Sequence, residues 1–375
     1  MKKVTYNSPR IFPGKKVAYR KIPKWIYVLV SITLVLSILV GSGVYFIREF
    51  LAYDYNEIEK TPEILGFEEV KDKRIINIAL FGVDTRSAES FKGRSDTTMI
   101  LSVNTQTNKI KLISIMRDSL VPIEKDGEKW HSKFNSAYAT GGPALAMKTL
   151  NTIFDLDISE YVAVNFFKLA DIIDIVGGIE VEITQNEISH INGGTNEICN
   201  SLGIKNDIKP ITEAGLQHLN GKQAVSYARI RYAANAQGTA NDYGRTDRQR
   251  LVMEKLFNKA LSMKKTEYAK LVKPVLACCQ TSLKYSEIIN VVLGVLSKNP
   301  VFEETRIPQI NYLMPSPKTN AGSVVYYDLN FAAKVIHYFI YKDINPKTYE
   351  EVYGIEKNDW YRKGFTPPKI EVDKQ

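Results

Sequence analysis

The chain of 375 residues predicts an α/β fold, a three-layer domain with a mixed β-sheet flanked by helices and preceded by a single N-terminal transmembrane helix. Three observations carry this. From about Arg74 onward, short apolar runs alternate with stretches of helical period, as strands interleaved with helices do. Two of those runs are separated only by a polar turn, so part of the sheet is antiparallel. Finally, Trp25–Ile47 is a run of 23 residues without a charge between Lys24 and Arg48. At 1.5 Å per residue it reaches roughly 34 Å, enough to span a bilayer.

Before that run stand Lys2, Lys3, Arg10, Lys15, Lys16, Arg20, Lys21 and Lys24, with no acidic residue among them. Such an excess keeps the N-terminus in the cytoplasm and sends the chain beyond Arg48 to the outer side. A cleaved signal peptide fits poorly, because the apolar run is too long and no small-x-small site comes after it. The expected organisation is a cytoplasmic tail at 1–24, a signal anchor at 25–47, an acidic stalk at 48–73, a main domain at 74–345 and a polar tail at 346–375. The formal net charge of +9 belongs almost wholly to the cytoplasmic tail. Without those eight cations, 42 basic residues face 41 acidic ones. A balanced surface argues against nucleic acid as a partner.

In the main domain, Ile75–Phe81 reads as a buried strand ending at Gly82. Thr97–Val103 and Ile110–Ile115 read as a hairpin across the turn Asn104–Asn108. Pro143–Phe154 is helical, with Leu145, Met147, Leu150, Ile153 and Phe154 apolar. Tyr161–Phe167 alternates as a strand, and Lys168–Val176 is a helix closed by Gly177-Gly178. Ile179–Ile183 is another strand. Thr212–Asn220 is expected as a helix, Gln223–Tyr232 as a strand and Thr246–Met263 as a long helix. Further helices are expected at Ser286–Ser297 and Asn330–Tyr341, without visible chemistry.

Chemistry concentrates between Arg229 and Arg250, where RIRYAANAQGTANDYGRTDRQR holds five arginines, Asp242 and Asp247, and no lysine. The guanidinium fork grips phosphate oxygens two at a time, whereas lysine is a point charge. On a strand, Arg229 and Arg231 leave the same face. On a helix, Arg245, Arg248 and Gln249 share one. The stretch therefore points to a phosphate or pyrophosphate site, against the alternative of a solvated salt-bridge ladder.

Two aspartates precede it. Asp84 follows a strand in FGVDTR, and Asp96 heads the next one in GRSDTT, beside Arg86 and Arg94. Carboxylates at strand ends suit Mg²⁺, which takes one or two protein ligands and leaves the rest to water and substrate phosphate. Turn and cap roles are the competing explanation. Arg117-Asp118 follows an apolar strand in SIMRDS, and Lys133 and Asn135 precede the glycines of ATGGP, whose helix start offers free N–H groups.

Taken in order, FGVDTR, GRSDTT, SIMRDS, KFNSAYATGG, IVGGIEVEI and RIR…DYGRTDRQR resemble the LytR-CpsA-Psr family of bacterial cell-envelope proteins, from about Ile75 to Ala260. One departure is Met116, where that family more often has proline. The resemblance implies a phosphotransferase acting outside the cytoplasmic membrane. Such an enzyme moves an anionic glycopolymer, such as wall teichoic acid or capsule, from a polyprenyl-pyrophosphate carrier to a peptidoglycan sugar hydroxyl. It implies that Asp84 and Asp96 hold Mg²⁺ (or Mn²⁺). Arg86, Arg94, Arg117, Lys133, Arg229, Arg231, Arg245 and Gln249 would grip the pyrophosphate. Asp242 would orient an arginine or assist the incoming hydroxyl, and Leu145, Leu150, Val164, Phe166, Leu169 and Ile173 would line a tunnel for the lipid. A polyprenyl-pyrophosphate phosphatase would use the same residues, and a non-enzymatic lipid-binding or signalling protein is a third reading. There is no Walker loop, Rossmann glycine fingerprint, zinc spacing or Gly-x-Ser-x-Gly elbow. In an oxidising compartment, Cys199 is expected to bridge to Cys278 or Cys279, with buried free thiols as the alternative.

Overall fold

The computed structural model describes residues 53–345 except 86, 297–299 and 310–312. The expected cytoplasmic tail, signal anchor and C-terminal tail, with Arg86, lie outside the described residues. Among the described residues, no helix is long and apolar enough to cross a membrane.

In chain order the first eleven strands are β1 (Asp54–Tyr55), β2 (Ile75–Asp84), β3 (Arg94–Asn104), β4 (Lys109–Ile115), β5 (Leu120–Lys125), β6 (Glu128–Lys133), β7 (Glu160–Asn165), β8 (Ile179–Ile183), β9 (Gly215–Leu219), β10 (Gln280–Thr281) and β11 (Val301–Ile307). The longer helices are α1 (Phe134–Phe154), α2 (Phe166–Ile175), α3 (Gln185–Ser201), α4 (Gly221–Arg229), α5 (Asn241–Ser262), α6 (Lys265–Leu276), α7 (Tyr285–Leu296) and α8 (Leu329–Tyr341). The central sheet runs β1-β10-β7-β2-β3-β4-β11. β2 pairs parallel with β7, and β4 with β11, while β3 is antiparallel to both β2 and β4. The C-terminal ends of β2, β4, β7 and β11 therefore share one edge with the start of β3. That edge is where open α/β sheets hold ligands.

The two faces of β2 show how the layers form. Ile75, Ala79, Phe81 and Val83 point into a core with Leu145, Leu150 and Phe154 of α1 and Val335 and Phe339 of α8. Ile76, Ile78 and Leu80 point to the opposite face, where α2, α5 and α6 stand. The period of two in the strand separates the cores without any further instruction.

The β3–β4 hairpin pairs Thr98 with Ile115 and Val103 with Ile110, as the polar turn requires. Ile179–Ile183 is a strand as expected, but it pairs with β9 in a ribbon of its own, outside the central sheet. Two expectations are corrected there. Thr212–Asn220 contains strand β9 in place of a helix, and Gln223–Tyr232 begins inside helix α4 in place of a strand. Asn220 decides the second. Its side chain accepts from Gln223 N at 3.0 Å while Gln223 Oε1 accepts from Asn220 N at 3.2 Å, a reciprocal cap that starts a helix. Ala224, Val225, Tyr227 and Ala228 then bury at helical spacing against Ile173 and Ile179.

Helix α1 starts at Phe134, nine residues before Pro143, and breaks within its length. Gly142 adopts φ 66, a left-handed conformation that glycine takes without a Cβ penalty. A third correction concerns the thiols. Cys199, Cys278 and Cys279 are all free and buried. Cys278 and Cys279 sit in an apolar cluster with Ile172, while Cys199 is enclosed on α3. Compartment alone says nothing about which sulfurs can meet, and here each packs as a small hydrophobe.

Candidate active site

The site is built at the sheet edge defined by β2, β3 and β4. Strands β2 and β3 pair residue by residue up to Gly82 against Thr97, and then the register slips so that Val83 faces Ser95. Asp96 is the extra residue of this bulge. Bulges re-aim side chains next to functional sites, and this one presents Asp96 to three arginines. Arg117 Nη1 lies 2.8 Å from its Oδ2, Arg231 Nη2 at 3.6 Å and Arg245 Nη1 at 3.8 Å.

The same arginines meet a second carboxylate. Asp242, in the first turn of α5, is 3.0 Å from Arg245, 3.4 Å from Arg117 and 4.0 Å from Arg231. Arg117 stands two residues past the end of β4, and its carbonyl accepts from Asn135 N at 3.1 Å, which fixes its backbone. Its Nε also approaches Asp118 at 3.4 Å, and Asp118 in turn pairs with Lys133 at 3.0 Å. Four cations thus converge on Asp96, Asp118 and Asp242.

The electrostatics differ between two of the arginines. Burial works to lower the pKa of Arg117, but Asp96, Asp242 and Asp118 together outweigh it, and the net shift is upward. Arg245 is only 4% exposed. Burial lowers its pKa to about 10, Arg117 and Arg231 add to the effect, and Asp242 and Asp96 oppose it. At that value it remains cationic at neutral pH, but its charge is incompletely met. Its Nε is also buried without a hydrogen-bond partner. A buried, under-compensated cation is stabilised by an arriving anion.

Beneath this cluster lies a cavity of about 240 Å³ with an almost wholly apolar wall, between the sheet and α2, α4, α5 and α6. The charged residues and the wall interleave along the chain. Thr97 beside Asp96, Gly82 near Asp84 and Gln249 one turn beyond Arg245 all line it. Arg229 lies with its guanidinium 4.9 Å from the ring of Phe166, another wall residue, and 3.7 Å from Glu197.

The residues expected from the sequence therefore divide. Asp96, Arg117, Arg231, Asp242 and Arg245 are gathered in one place, with Lys133 joined through Asp118. Arg229 and Arg231 part company. Arg229 ends α4, Ile230 is extended, and only Arg231 turns toward the carboxylates. Asp84 and Arg94 are exposed and opposite each other at the end of the β2–β3 ladder. Arg248 does not join the cluster at all. It is buried against Glu187 on α3 at 2.7 Å. Of the expected lipid wall, Val164, Phe166 and Leu169 line the cavity. Leu145 and Leu150 belong to the core on the other face of the sheet, and Ile173 packs toward the β8–β9 ribbon. The sequence reading missed Asp118 as the link to Lys133. It also missed Val252, Met253 and Leu256, although these share a helical face with Gln249 and were legible by spacing.

Gly244 sets how α5 enters the site. A Cβ there would come within 2.4 Å of the Thr239 carbonyl, so only glycine lets the first turn of α5 close against the preceding loop.

A cluster of arginines over an apolar cavity, at the ligand edge of a mixed α/β sheet, defines a protein that receives an anionic group carrying a hydrophobic body. The chain belongs to the LytR_cpsA_psr family, whose model matches residues 45–331. It is 30% identical over 276 residues to the polyisoprenyl-teichoic acid–peptidoglycan teichoic acid transferase TagU of Enterococcus faecalis, covering 72% of this chain and 82% of that one. Biofilm regulatory protein A of Streptococcus mutans is 32% identical over 281 residues, covering 71% of this chain and 64% of its own length. Among solved structures, protein gbs0355 of Streptococcus agalactiae superimposes with a TM-score of 0.59 at 26% identity, covering 80% of this chain and 99% of that one.

Proposed function

We propose that this protein is a phosphotransferase that moves an anionic glycopolymer from a polyprenyl-pyrophosphate carrier to a sugar hydroxyl of peptidoglycan. The observation that carries the reading is the convergence of Arg117, Arg231 and Arg245 on Asp96 and Asp242 over the apolar cavity. The family relationship, and the teichoic acid transferase name of the Enterococcus relative, support it.

The cavity takes the prenyl chain nearest the head group, and the arginines take the pyrophosphate. The acceptor hydroxyl attacks the phosphorus that bears the polymer. The bond to the bridging oxygen breaks, and polyprenyl monophosphate leaves. Charge spreads over the transferring phosphoryl group and the leaving oxygen, so catalysis is mainly positioning and neutralisation. Arg245, the most deeply buried of the three arginines, meets the pyrophosphate, while Asp242 holds the arginine forks in place until it arrives. Asp96, in the β3 bulge, and Asp84, at the end of the neighbouring strand β2, would supply the carboxylate oxygens for Mg²⁺ or Mn²⁺, with phosphate and water completing the shell. When bound, the metal supplies additional positive charge to the phosphate oxygens. The apolar segment at 25–47 acts as a signal anchor, with the described domain outside the cytoplasmic membrane, beside a lipid-borne donor.

The test is incubation of the full chain in detergent with a polyprenyl-pyrophosphate-linked sugar and Mg²⁺, with and without peptidoglycan. Release of polyprenyl monophosphate with covalent attachment of sugar to peptidoglycan supports the transferase. Release of free sugar phosphate alone, even with acceptor present, would instead establish a phosphatase.

A further inference from the structure

We infer that Glu187 and Arg248 are positioning residues for the phosphate-gripping Arg231, acting through the backbone on either side of it; this rests on the phosphotransferase reading. Both side chains are fully buried, 0% exposed. Arg248 Nε donates to Glu187 Oε1 at 2.7 Å. Its Nη1 donates to the Ile230 carbonyl at 3.2 Å and its Nη2 to the Ala233 carbonyl at 2.7 Å. The guanidinium thus spans the residue before Arg231 and the second residue after it.

Glu187 is equally committed. Its Oε2 accepts from Thr184 N at 2.8 Å and from Thr184 Oγ1 at 3.0 Å, which locks its own helix start. The rest of the loop is closed by Asn235, whose Oδ1 accepts from Gln237 N and Thr239 N. The pair therefore transmits rigidity from α3, through α5, to the one short extended segment that carries Arg231.

A buried ion pair is weak evidence for stability, because desolvation offsets most of its attraction. Two apolar residues would fill the space as well. What apolar residues lack is donors for the Ile230 and Ala233 carbonyls, and those bonds set the direction in which Arg231 leaves the chain. Arg231 stands 3.6 Å from Asp96 and 4.0 Å from Asp242, a looser contact than either neighbouring arginine makes. Its aim therefore depends on its backbone more than on its partners.

The test is a double-mutant cycle on the full chain. Wild type, Arg248→Lys, Arg231→Ala and the double variant are compared for the rate of polyprenyl monophosphate release and, by calorimetry, for affinity toward farnesyl pyrophosphate. Arg248→Lys keeps the charge opposite Glu187 but lacks the guanidinium's fixed fork to the two carbonyls. It is expected to lower the rate about 100-fold, the order a displacement near 1 Å produces, and to cost nothing further once Arg231 is absent. An equal loss in both backgrounds means a merely structural role and overturns the inference, as does an unchanged rate and affinity in Arg248→Lys. If Arg248→Lys fails to fold by circular dichroism, Glu187→Gln completes the same cycle. It retains an acceptor for Arg248 without the charge. Absence of turnover in wild type sinks the transferase reading alone, since the binding cycle still decides whether the pair acts through Arg231.

Discussion

Arg245 and Asp242, one helical turn apart on α5, hold each other at 3.0 Å at the sheet edge, with the arginine side chain 4% exposed. The carboxylate sits in the first turn of its helix, where the free N–H groups favour negative charge. From there it reaches three arginines at once. Removing it leaves three buried or half-buried cations facing one another across Asp96.

Asp242→Asn should therefore hurt more than an ordinary surface change. The amide keeps the shape but removes the charge common to Arg117, Arg231 and Arg245. The expected outcome is loss of release activity by about 100-fold or more, the order of removing one preorganised electrostatic group. Farnesyl pyrophosphate affinity is expected to stay within about tenfold, because phosphate replaces some of the lost charge. Steady-state release kinetics and calorimetry on the same preparation check the split.

An anion should stabilise the fold. The charge on Arg245 is incompletely met and its Nε is buried without a partner. Pyrophosphate bound at about 100 times its dissociation constant is expected to add about 2.7 kcal/mol. Thermal unfolding with and without pyrophosphate measures this, and Arg245→Ala should abolish most of the increment.

The cavity should respond to its own volume. Met99 and Val164 both line it, so Met99→Trp places a bulky ring into about 240 Å³ of space. The variant is expected to weaken binding of farnesyl pyrophosphate at least tenfold while leaving that of inorganic pyrophosphate unchanged. Equal weakening of both ligands would mean that the wall does not read the hydrocarbon.

Gly244→Ala is expected to misplace the head of α5. The new Cβ would meet the Thr239 carbonyl at 2.4 Å, so the loop must shift, at a cost of about 1–3 kcal/mol. Chemical denaturation gives the stability loss, and release kinetics should show a larger fall in kcat than in apparent affinity.

The thiols give a direct check on the packing. All three are free and buried, and burial pushes Cys279 up to about 12. Native protein at neutral pH should label slowly, since the thiolate is the nucleophile. Denatured, unreduced protein should label at three positions.

The elements with the strongest periods were legible. β2, the β3–β4 hairpin, β8, α5 and α8 fall close to where apolar spacing puts them. The arginine strand failed because Gln223–Tyr232 alternates only superficially, and the Asn220–Gln223 cap outweighs that weak pattern. β11 was missed because Val301–Ile307 carries Glu303, Glu304 and Arg306, an edge-strand composition without an apolar run.

The site divides in the same way. Residue types and their order sufficed to name Asp96, Arg117, Arg231, Asp242 and Arg245, because each chemistry-bearing group lies in a short local motif. Sequence by itself thus determined the chemical inventory, the alternation of strands and helices, and the family. Only the tertiary structure decided which arginines point at the carboxylates. Arg248 and Arg245 are three residues apart on one helix, yet one is buried against Glu187 and the other faces Asp96 and Asp242. Likewise Leu150 and Leu169 look alike in sequence but lie on opposite faces of the sheet. Spacing fixes only relative direction along one element, whereas the partner that a face meets is set by long-range packing of elements far apart in the chain.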